Sequence, residues 1–242
     1  MSVIQTPGQP LVRATDVART FGTGTAAVVA VHGVTCKIMP GDQIALTGPS
    51  GSGKTTLLHL LAGLDTPTTG VIQWPAIGSC AELRPGPIAV VFQASSLLPP
   101  LNVVENVALP LLLQHVDRRL ARTAALAALH RLCLDELQEK LPEELSGGQA
   151  QRVAAARVLA GRPRLILADE PTGQLDHANG TLVIDALIAA ATESGAALVV
   201  NTHDPAITAR FAQVWTMASG RLIVPMPMPM PMPVPVPVPV YR

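Results

Sequence analysis

The sequence lacks several features that would assign it to a particular class of protein. Its 17 basic and 17 acidic residues cancel to a net charge of zero, so no electrostatic field favours a nucleic acid or an anionic membrane surface. No apolar run approaches the roughly 18 residues that a membrane helix needs. The first ten residues have neither the basic start nor the apolar segment of a secretory signal. These absences predict a soluble, cytoplasmic chain.

Cysteine is also scarce, and its three residues follow no disulfide or metal-binding spacing. They are Cys36, Cys80 and Cys133. Isolated cysteines of this kind usually act as small buried apolar side chains in proteins of a reducing compartment. The sequence therefore predicts no disulfide framework and no cysteine metal site.

The composition changes abruptly near the end of the chain. From residue 225 to 240, proline alternates first with methionine and then with valine. Proline removes every second backbone N–H group, which excludes a helix and a central strand. Strict alternation also never places two prolines three residues apart, so the P-x-x-P ligand pattern is absent. We expect one large domain over residues 1–222, which the 48% apolar content can fill with a core, and a low-complexity tail over residues 223–242 without a role in the chemistry.

The most informative motif is GPSGSGKT at residues 48–55, which has the form G-x-x-x-x-G-K-S/T of a phosphate-binding loop. Its glycines let successive N–H groups point at phosphate oxygens, and the following helix N-terminus favours the same anion. Lys54 is expected to reach the β- and γ-phosphates, and the Thr55 hydroxyl to bind Mg²⁺. A chance match is disfavoured because a short apolar strand precedes the loop and a helix follows it. The predicted nucleotide-binding residues here are Gly48, Pro49, Ser50, Gly51, Ser52, Gly53, Lys54, Thr55 and Thr56.

Apolar runs and helical periodicity alternate along the rest of the chain. This alternation predicts a parallel sheet covered by helices on both faces. The mostly helical block at about 94–162 has the character of an insertion into that sheet. The predicted strands are 11–14, 27–31, 34–38, 43–47, 87–92, 164–168 and 196–200, and the predicted helices are 56–63, 102–113, 116–134, 147–159 and 180–192.

Two carboxylates, Asp169 and Glu170, follow a predicted buried strand. Open α/β sheets bind ligands at the carboxyl ends of their strands. Asp169 is expected to hold Mg²⁺, and Glu170 to accept a proton from, or orient, the water that attacks the γ-phosphate. An acidic helix start is the alternative for these residues taken alone. Their combination with the phosphate loop favours the catalytic interpretation.

A second candidate anion site is LSGGQ at residues 145–149, where Ser146 and two glycines precede a helix. One triphosphate does not need two such sites from the same chain. The second site would therefore serve the nucleotide of a neighbouring subunit. An ordinary serine N-cap is the open alternative, because spacing alone does not exclude it.

These motifs occur in the order found in ABC-type ATPases, which the chain resembles from about residue 11 to 223. The LSGGQ motif is highly specific to that family. The resemblance implies a P-loop NTPase domain of the ABC type, with an N-terminal antiparallel β subdomain and a helical subdomain. It also implies a separate ATP-binding subunit that hydrolyses ATP with Mg²⁺, pairs with an identical or paralogous ATPase subunit, and drives an integral membrane permease from the inner face of the membrane. Residues 63–70, 97–106 and 168–173 resemble the lipoprotein-release and macrolide-export branch.

The resemblance assigns roles to individual residues. Gln93 would sense Mg²⁺ and the attacking water, and His203 would contact the γ-phosphate. Asp176 would lie at the dimer seam, and Phe21 would stack on adenine, with a core phenylalanine as the alternative. The residues implied to contact the γ-phosphate held by the other protomer are Ser146, Gly147, Gly148 and Gln149.

Two other functions compete with transport. A soluble ABC ATPase that acts on ribosomes or nucleic acid usually carries two cassettes and a basic linker, or long insertions, and this chain shows none of these. A regulatory subunit that does not hydrolyse ATP is disfavoured because Lys54, Asp169, Glu170 and His203 are all present. The sequence thus favours a hydrolysing transporter subunit without a nucleic-acid partner.

Overall fold

The computed structural model describes residues 8–224, so the predicted tail lies outside the described residues from 225 onward. The strands are β1 Val12–Phe21, β2 Val28–Ile38, β3 Gln43–Thr47, β4 Thr69–Gln73, β5 Ile88–Val91, β6 Leu165–Asp169, β7 Ala197–Asn201, β8 Gln213–Ala218 and β9 Arg221–Ile223. The helices are α1 Lys54–Leu61, α2 Val103–Leu113, α3 Arg118–Arg131, α4 Gly147–Gly161, α5 His177–Ser194 and α6 Pro205–Thr208.

The strands form two sheets. An antiparallel sheet has the order β2-β1-β4, and a six-stranded sheet has the order β5-β6-β7-β3-β8-β9. All pairs of the larger sheet are parallel except β8 with β9. The α/β class and the N-terminal antiparallel sheet predicted from the sequence are therefore confirmed.

The strand bounds differ from the prediction in the antiparallel sheet. The runs 27–31 and 34–38, predicted as two strands, are one strand, β2, which pairs with β1 through several register shifts. Gly33 in its middle has φ +56°, a conformation that favours glycine and lets the strand continue through the irregularity. Strands β4, β8 and β9 were not predicted. The prediction of two short strands was wrong because it treated a bulge as a break.

Alternate residues of the central strands feed two separate cores. Leu165 and Leu167 of β6 pack in the core that contains α1 and the antiparallel sheet. Ile166 and Ala168 pack in the core that contains α2 to α5. Side chains alternate across a strand, so a run of consecutive apolar residues fills both faces. The predicted two-sided burial of the sheet is confirmed.

Helices α2, α3 and α4 lie between β5 and β6 in the chain and pack on one another. Asn102 is the N-cap of helix α2. Its side chain accepts the N–H of Glu105, and the Glu105 carboxylate accepts the N–H of Asn102. This reciprocal cap satisfies two groups that a helix end leaves free. Within residues 8–224, no helix has both the length and the apolar character to cross a membrane.

Candidate nucleotide-binding and catalytic site

Parallel register brings four chain segments to one edge of the large sheet. Asn201 lies level with Asp169 on one side and with Leu46 on the other, and β5 ends level with Ala168. The phosphate loop after β3, the acids after β6, His203 after β7 and Gln93 after β5 therefore emerge at the same carboxyl edge. This is the edge at which open α/β sheets bind ligands.

The phosphate loop is shaped by its neighbours. A Cβ on Gly48 would clash with the Met217 carbonyl of β8, and one on Gly53 would clash with the Ala30 carbonyl of β2. Both glycines also have positive φ, +138° and +98° respectively. Their backbone can approach these carbonyls only because they have no side chain.

The N-terminus of α1 is left open for an anion. Its N-cap is Gly53, which supplies no side-chain hydrogen bond. The first helical bond runs from the Leu57 N–H to the Gly53 carbonyl, so the N–H groups of the first turn have no acceptor within the helix. Thr55 lies exposed on that turn. A phosphate would satisfy these donors and the positive end of the helix dipole together.

Lys54 is buried and folds back onto its own loop. Its Nζ donates to the Gly48 and Pro49 carbonyls, both at 2.9 Å. The nearby Ser52 hydroxyl is also buried and finds no hydrogen-bond partner among the described residues. A buried cation held only by neutral carbonyls fits a site whose counter-charge arrives with the ligand.

At the end of β6 the two predicted acids occupy different environments. Asp169 is 3% exposed and accepts a hydrogen bond from the Asn201 side chain. Glu170 is partly exposed, has φ +45°, and places Oε1 3.4 Å from Nδ1 of His203. A positive φ in a non-glycine residue is strained, and such strain is concentrated at functional sites. The structure thus places His203 beside Glu170, which is next to Asp169 in the chain.

Asp169 also allows a test of whether the site suits a cation. It is a buried carboxylate, and the ion pairs found within residues 8–224 give it no basic partner. An isolated buried anion is costly, and carboxylate and hydroxyl oxygens are the ligands that Mg²⁺ prefers. Asp169 and the exposed Thr55 therefore fit the predicted magnesium site.

Gln93 lies exposed in the segment after β5, and α4 holds the backbone on either side of it. Gln151 donates to the Phe92 carbonyl at 3.0 Å. Arg157 donates to the carbonyl and the hydroxyl of Ser96, at 3.0 and 2.7 Å. Burial lowers the pKa of the Arg157 guanidinium.

Sequence reasoning missed both α4 residues. The signal for Gln151 was a polar residue on the same face of α4 as the buried residues Ala154, Ala155 and Val158. The partner of such a side chain, 59 residues away along the chain, is not encoded in any local pattern.

The N-terminus of α4 is capped by its own side chains. Ser146 Oγ accepts the Gln149 N–H at 3.2 Å, and Gln149 Oε1 accepts the Ser146 N–H at 2.9 Å. The serine N-cap that the sequence left open as an alternative is therefore present. A Cβ on Gly147 would lie 3.0 Å from Gln174 Oε1, and one on Gly148 3.3 Å from Leu175 Cδ2. The two glycines thus permit close packing of residues 174–175, while Ser146 and Gly147 remain exposed.

Asp176 and Phe21 lie on the surface. The Asp176 carboxylate caps α5 by accepting the Asn179 N–H at 2.9 Å, and this hydrogen bond is the main cause of its lowered pKa. Phe21 ends β1 with 43% of its surface exposed, which excludes the core phenylalanine considered above. The Arg19 guanidinium lies 4.5 Å from the Phe21 ring centroid and covers one ring face.

The comparisons with known proteins agree with this geometry. The family described as ABC transporter matches residues 31–173. The lipoprotein-releasing system ATP-binding protein LolD of Shewanella oneidensis is 38% identical over 222 residues, which cover 89% of this chain and 96% of that protein. LolD of Legionella pneumophila strain Paris is 41% identical over 211 residues, or 84% and 93% of the two chains. The predicted resemblance to the lipoprotein-release branch is confirmed.

Solved structures give the same result. A dimeric post-hydrolysis state of the ATP-binding cassette MJ0796 bound to ADP and Pi superposes with a TM-score of 0.82 at 35% identity, covering 87% of this chain and 96% of that one. The cbiO1 protein of Clostridium perfringens, part of the transporter complex cbiONQ, has a TM-score of 0.75 at 28% identity and covers 89% and 87%. These matches support the transporter interpretation over the soluble alternative. The chain belongs to the ABC transporter family and is an ATP-binding cassette that hydrolyses ATP.

Proposed function

We propose that two copies of this chain, or one copy and a paralogue, close around two ATP molecules and drive a separate membrane permease. The observation that carries the proposal is the N-terminus of α4, which is exposed and capped by its own side chains. The chain already has one open phosphate site at α1. A second copy that presented Ser146 and Gly147 would complete that site from outside.

Within one copy, the phosphate loop binds the triphosphate. The N–H groups of the first turn of α1 and the Lys54 ammonium neutralise the phosphate oxygens. Thr55 and Asp169 would hold Mg²⁺, with Gln93 as a further ligand. The ion, when bound, neutralises the charge that develops on the β- and γ-phosphates.

Glu170 and His203 act at the γ-phosphate. Glu170 accepts a proton from, or orients, the attacking water, because its carboxylate is partly exposed at the sheet edge from which the phosphate loop also emerges. His203, 3.4 Å from Glu170, contacts the γ-phosphate from the end of β7. Gln93 senses Mg²⁺ and the attacking water, and it lies in the loop that α4 holds.

Residues on the surface complete the proposed dimer. The second copy contributes Ser146, Gly147, Gly148 and Gln149 to the γ-phosphate. Asp176 lies at the seam, and the uncovered face of the Phe21 ring stacks on adenine. Ser146, Gly147, Asp176 and Phe21 are exposed in one copy, and Gly148 and Gln149 are partly exposed, as these contacts require.

The permease docks in a groove of about 480 Å³ between β5, α2 and α4. Its walls are mostly apolar, and it includes Phe92 and Ser96, the residues whose backbone flanks the Gln93 loop. An apolar segment of the permease seated there would press on that loop directly. Through this contact the chain would be held at the cytoplasmic face of the membrane.

The dimer is tested with Glu170→Gln, which removes the proposed proton acceptor and should leave ATP binding intact. We expect this variant to run as a dimer in Mg²⁺ and ATP and as a monomer without nucleotide, measured by light scattering after size-exclusion chromatography. Wild-type protein should return to monomer as ATP is consumed. Hydrolysis at the wild-type rate by Glu170→Gln would refute the role of Glu170.

The groove is tested with Leu113→Arg, which places a charge on its apolar wall. The variant should lose co-purification with the permease while it retains ATP binding. Leu120→Arg is the matched control, because Leu120 is equally exposed but lies outside the groove. Equal permease binding by both variants would exclude this docking site.

A further inference from the structure

Asn201 is a polar residue at a fully buried position, where an apolar residue is usual. It is the last residue of β7, in which every residue is buried, and it is itself 1% exposed. Its neighbours in the strand, Val199 and Val200, pack in the two cores of the domain. A buried amide costs about 1–3 kcal/mol unless it is hydrogen-bonded, so its partners indicate its role.

Asn201 is hydrogen-bonded to both acids at the end of β6. Its Nδ2 donates to Oδ1 of Asp169. Its backbone carbonyl accepts the N–H of Glu170 at 3.0 Å. Since an ionised carboxylate only accepts hydrogen bonds, the amide must present its NH₂ group to Asp169.

The other side of the same amide is open. Within residues 8–224, Oδ1 of Asn201 has no hydrogen-bond partner although it is buried. If this position only had to fill space, a valine would be more stable, because it would leave no buried acceptor unpaired. The arrangement instead suits a neighbour that arrives with a ligand, such as a water molecule held by a cation.

We propose that Asn201 is a positioning residue that orients Asp169 toward the magnesium ion. It fixes one carboxylate oxygen by a hydrogen bond and leaves the other available to the cation. Through its backbone carbonyl it also sets the start of the strained Glu170 turn. This inference rests on the proposed function of Asp169 as the residue that holds the ion.

The test replaces Asn201 with leucine, which has a similar shape and no donor. A fluorescent, non-hydrolysable ATP analogue is bound to the protein in EDTA, and Mg²⁺ is then titrated. Loss of a residue that orients a metal ligand lowers metal affinity about 10–100-fold. We expect Asn201→Leu to raise the midpoint of the Mg²⁺ titration by that factor and to leave the affinity for the analogue in EDTA unchanged.

Asn106→Leu is the matched control. Asn106 is an equally buried amide, but it bonds to the backbone of Leu98, Leu101 and Asn102 in the helical block. Its loss should lower the melting temperature without moving the Mg²⁺ midpoint. If Asn201→Leu does not fold, Asn201→Ser carries the same test, because its shorter side chain cannot reach Asp169 in the same geometry.

Asp169→Ala separates failure of this inference from failure of the proposed function. An unchanged Mg²⁺ midpoint in Asp169→Ala would refute Asp169 as the magnesium ligand. A shift in Asp169→Ala with none in Asn201→Leu would overturn only the positioning role. Equal weakening of the analogue in Mg²⁺ and in EDTA by Asn201→Leu would also overturn it, because a positioning residue acts only when the ion is present.

Discussion

The chain contains two glycine-rich helix N-termini that look alike in sequence and differ in structure. At α1, the N-cap Gly53 offers no side chain, and a buried lysine turns back onto the loop carbonyls. At α4, Ser146 and Gln149 cap each other, and the end is exposed. The first end is incomplete until an anion binds, while the second is complete by itself and faces outward. The difference supports our proposal that α1 binds the ligand within one copy and that α4 serves another copy.

Among variants that test this difference between α1 and α4, we expect the largest effect, a loss of ATP affinity, from replacement of Lys54. Lys54→Ala removes the buried cation of the α1 site, and each hydrogen bond to a charged group contributes about 1.5–3 kcal/mol. We expect ATP binding to weaken at least about 100-fold, as measured by isothermal titration calorimetry. Lys37→Ala, at an exposed position of β2, is the control and should bind ATP as the wild type does. Normal binding by Lys54→Ala would refute the phosphate-loop assignment.

A smaller effect, on the free energy of unfolding, is expected when a glycine is replaced with alanine at the N-terminus of α1 or of α4. Gly53→Ala forces an alanine to φ +98° and into the Ala30 carbonyl, so the free energy of unfolding should fall by about 2 kcal/mol or more. Gly147→Ala meets only the end of the Gln174 side chain, and we expect a loss below about 1 kcal/mol. Urea denaturation measures both. Equal losses would show that the two loops are not built differently.

The smallest expected effect is a difference in pH dependence between two helix caps, Asp176 at α5 and Ser146 at α4. Because hydrogen bonds from Asn179 lower the pKa of Asp176, its stabilisation of α5 is fully present above about pH 4 and is lost as pH falls through the lowered pKa. The melting-temperature gap between wild type and Asp176→Ala should therefore narrow from pH 5 to pH 2. Ser146→Ala removes a cap that does not titrate, so its gap of about 2–4 °C should stay constant. A gap for Asp176→Ala that did not change with pH would contradict the carboxylate cap.

The motifs that carry the chemistry were easier to predict from the sequence than the hydrogen bonds that position them. The phosphate loop is a short motif that one segment identifies. Asp169, Glu170 and LSGGQ are also short segments, and they could be interpreted once they were read together with that loop. The Asn201 bond to Asp169 spans 32 residues, and the Gln151 bond to Phe92 spans 59. Such pairs depend on sheet order and helix packing, which no local pattern specifies.

The missed strands have a similar explanation. Strand β4 is almost entirely exposed and contains Gly70, so it shows neither an apolar run nor a clear alternation. Its stability comes from pairing with β1, and β9 is three residues long and depends on β8. These strands form because a partner already exists, whereas β6 and β7 are apolar enough to be recognised alone.

The central claim, that α4 of one copy completes the α1 site of another, is tested most directly by mixing two defective variants. Both carry Glu170→Gln; one adds Lys54→Ala, and the other adds Ser146→Asp, which keeps a helix cap and repels phosphate. Each alone should remain monomeric in Mg²⁺ and ATP, because every site in its dimer would be defective. The mixture should form dimers with one ATP for two chains, because one of the two sites then combines an intact loop with an intact α4. If Glu170→Gln alone forms dimers and the mixture of the two folded variants does not, the account is contradicted.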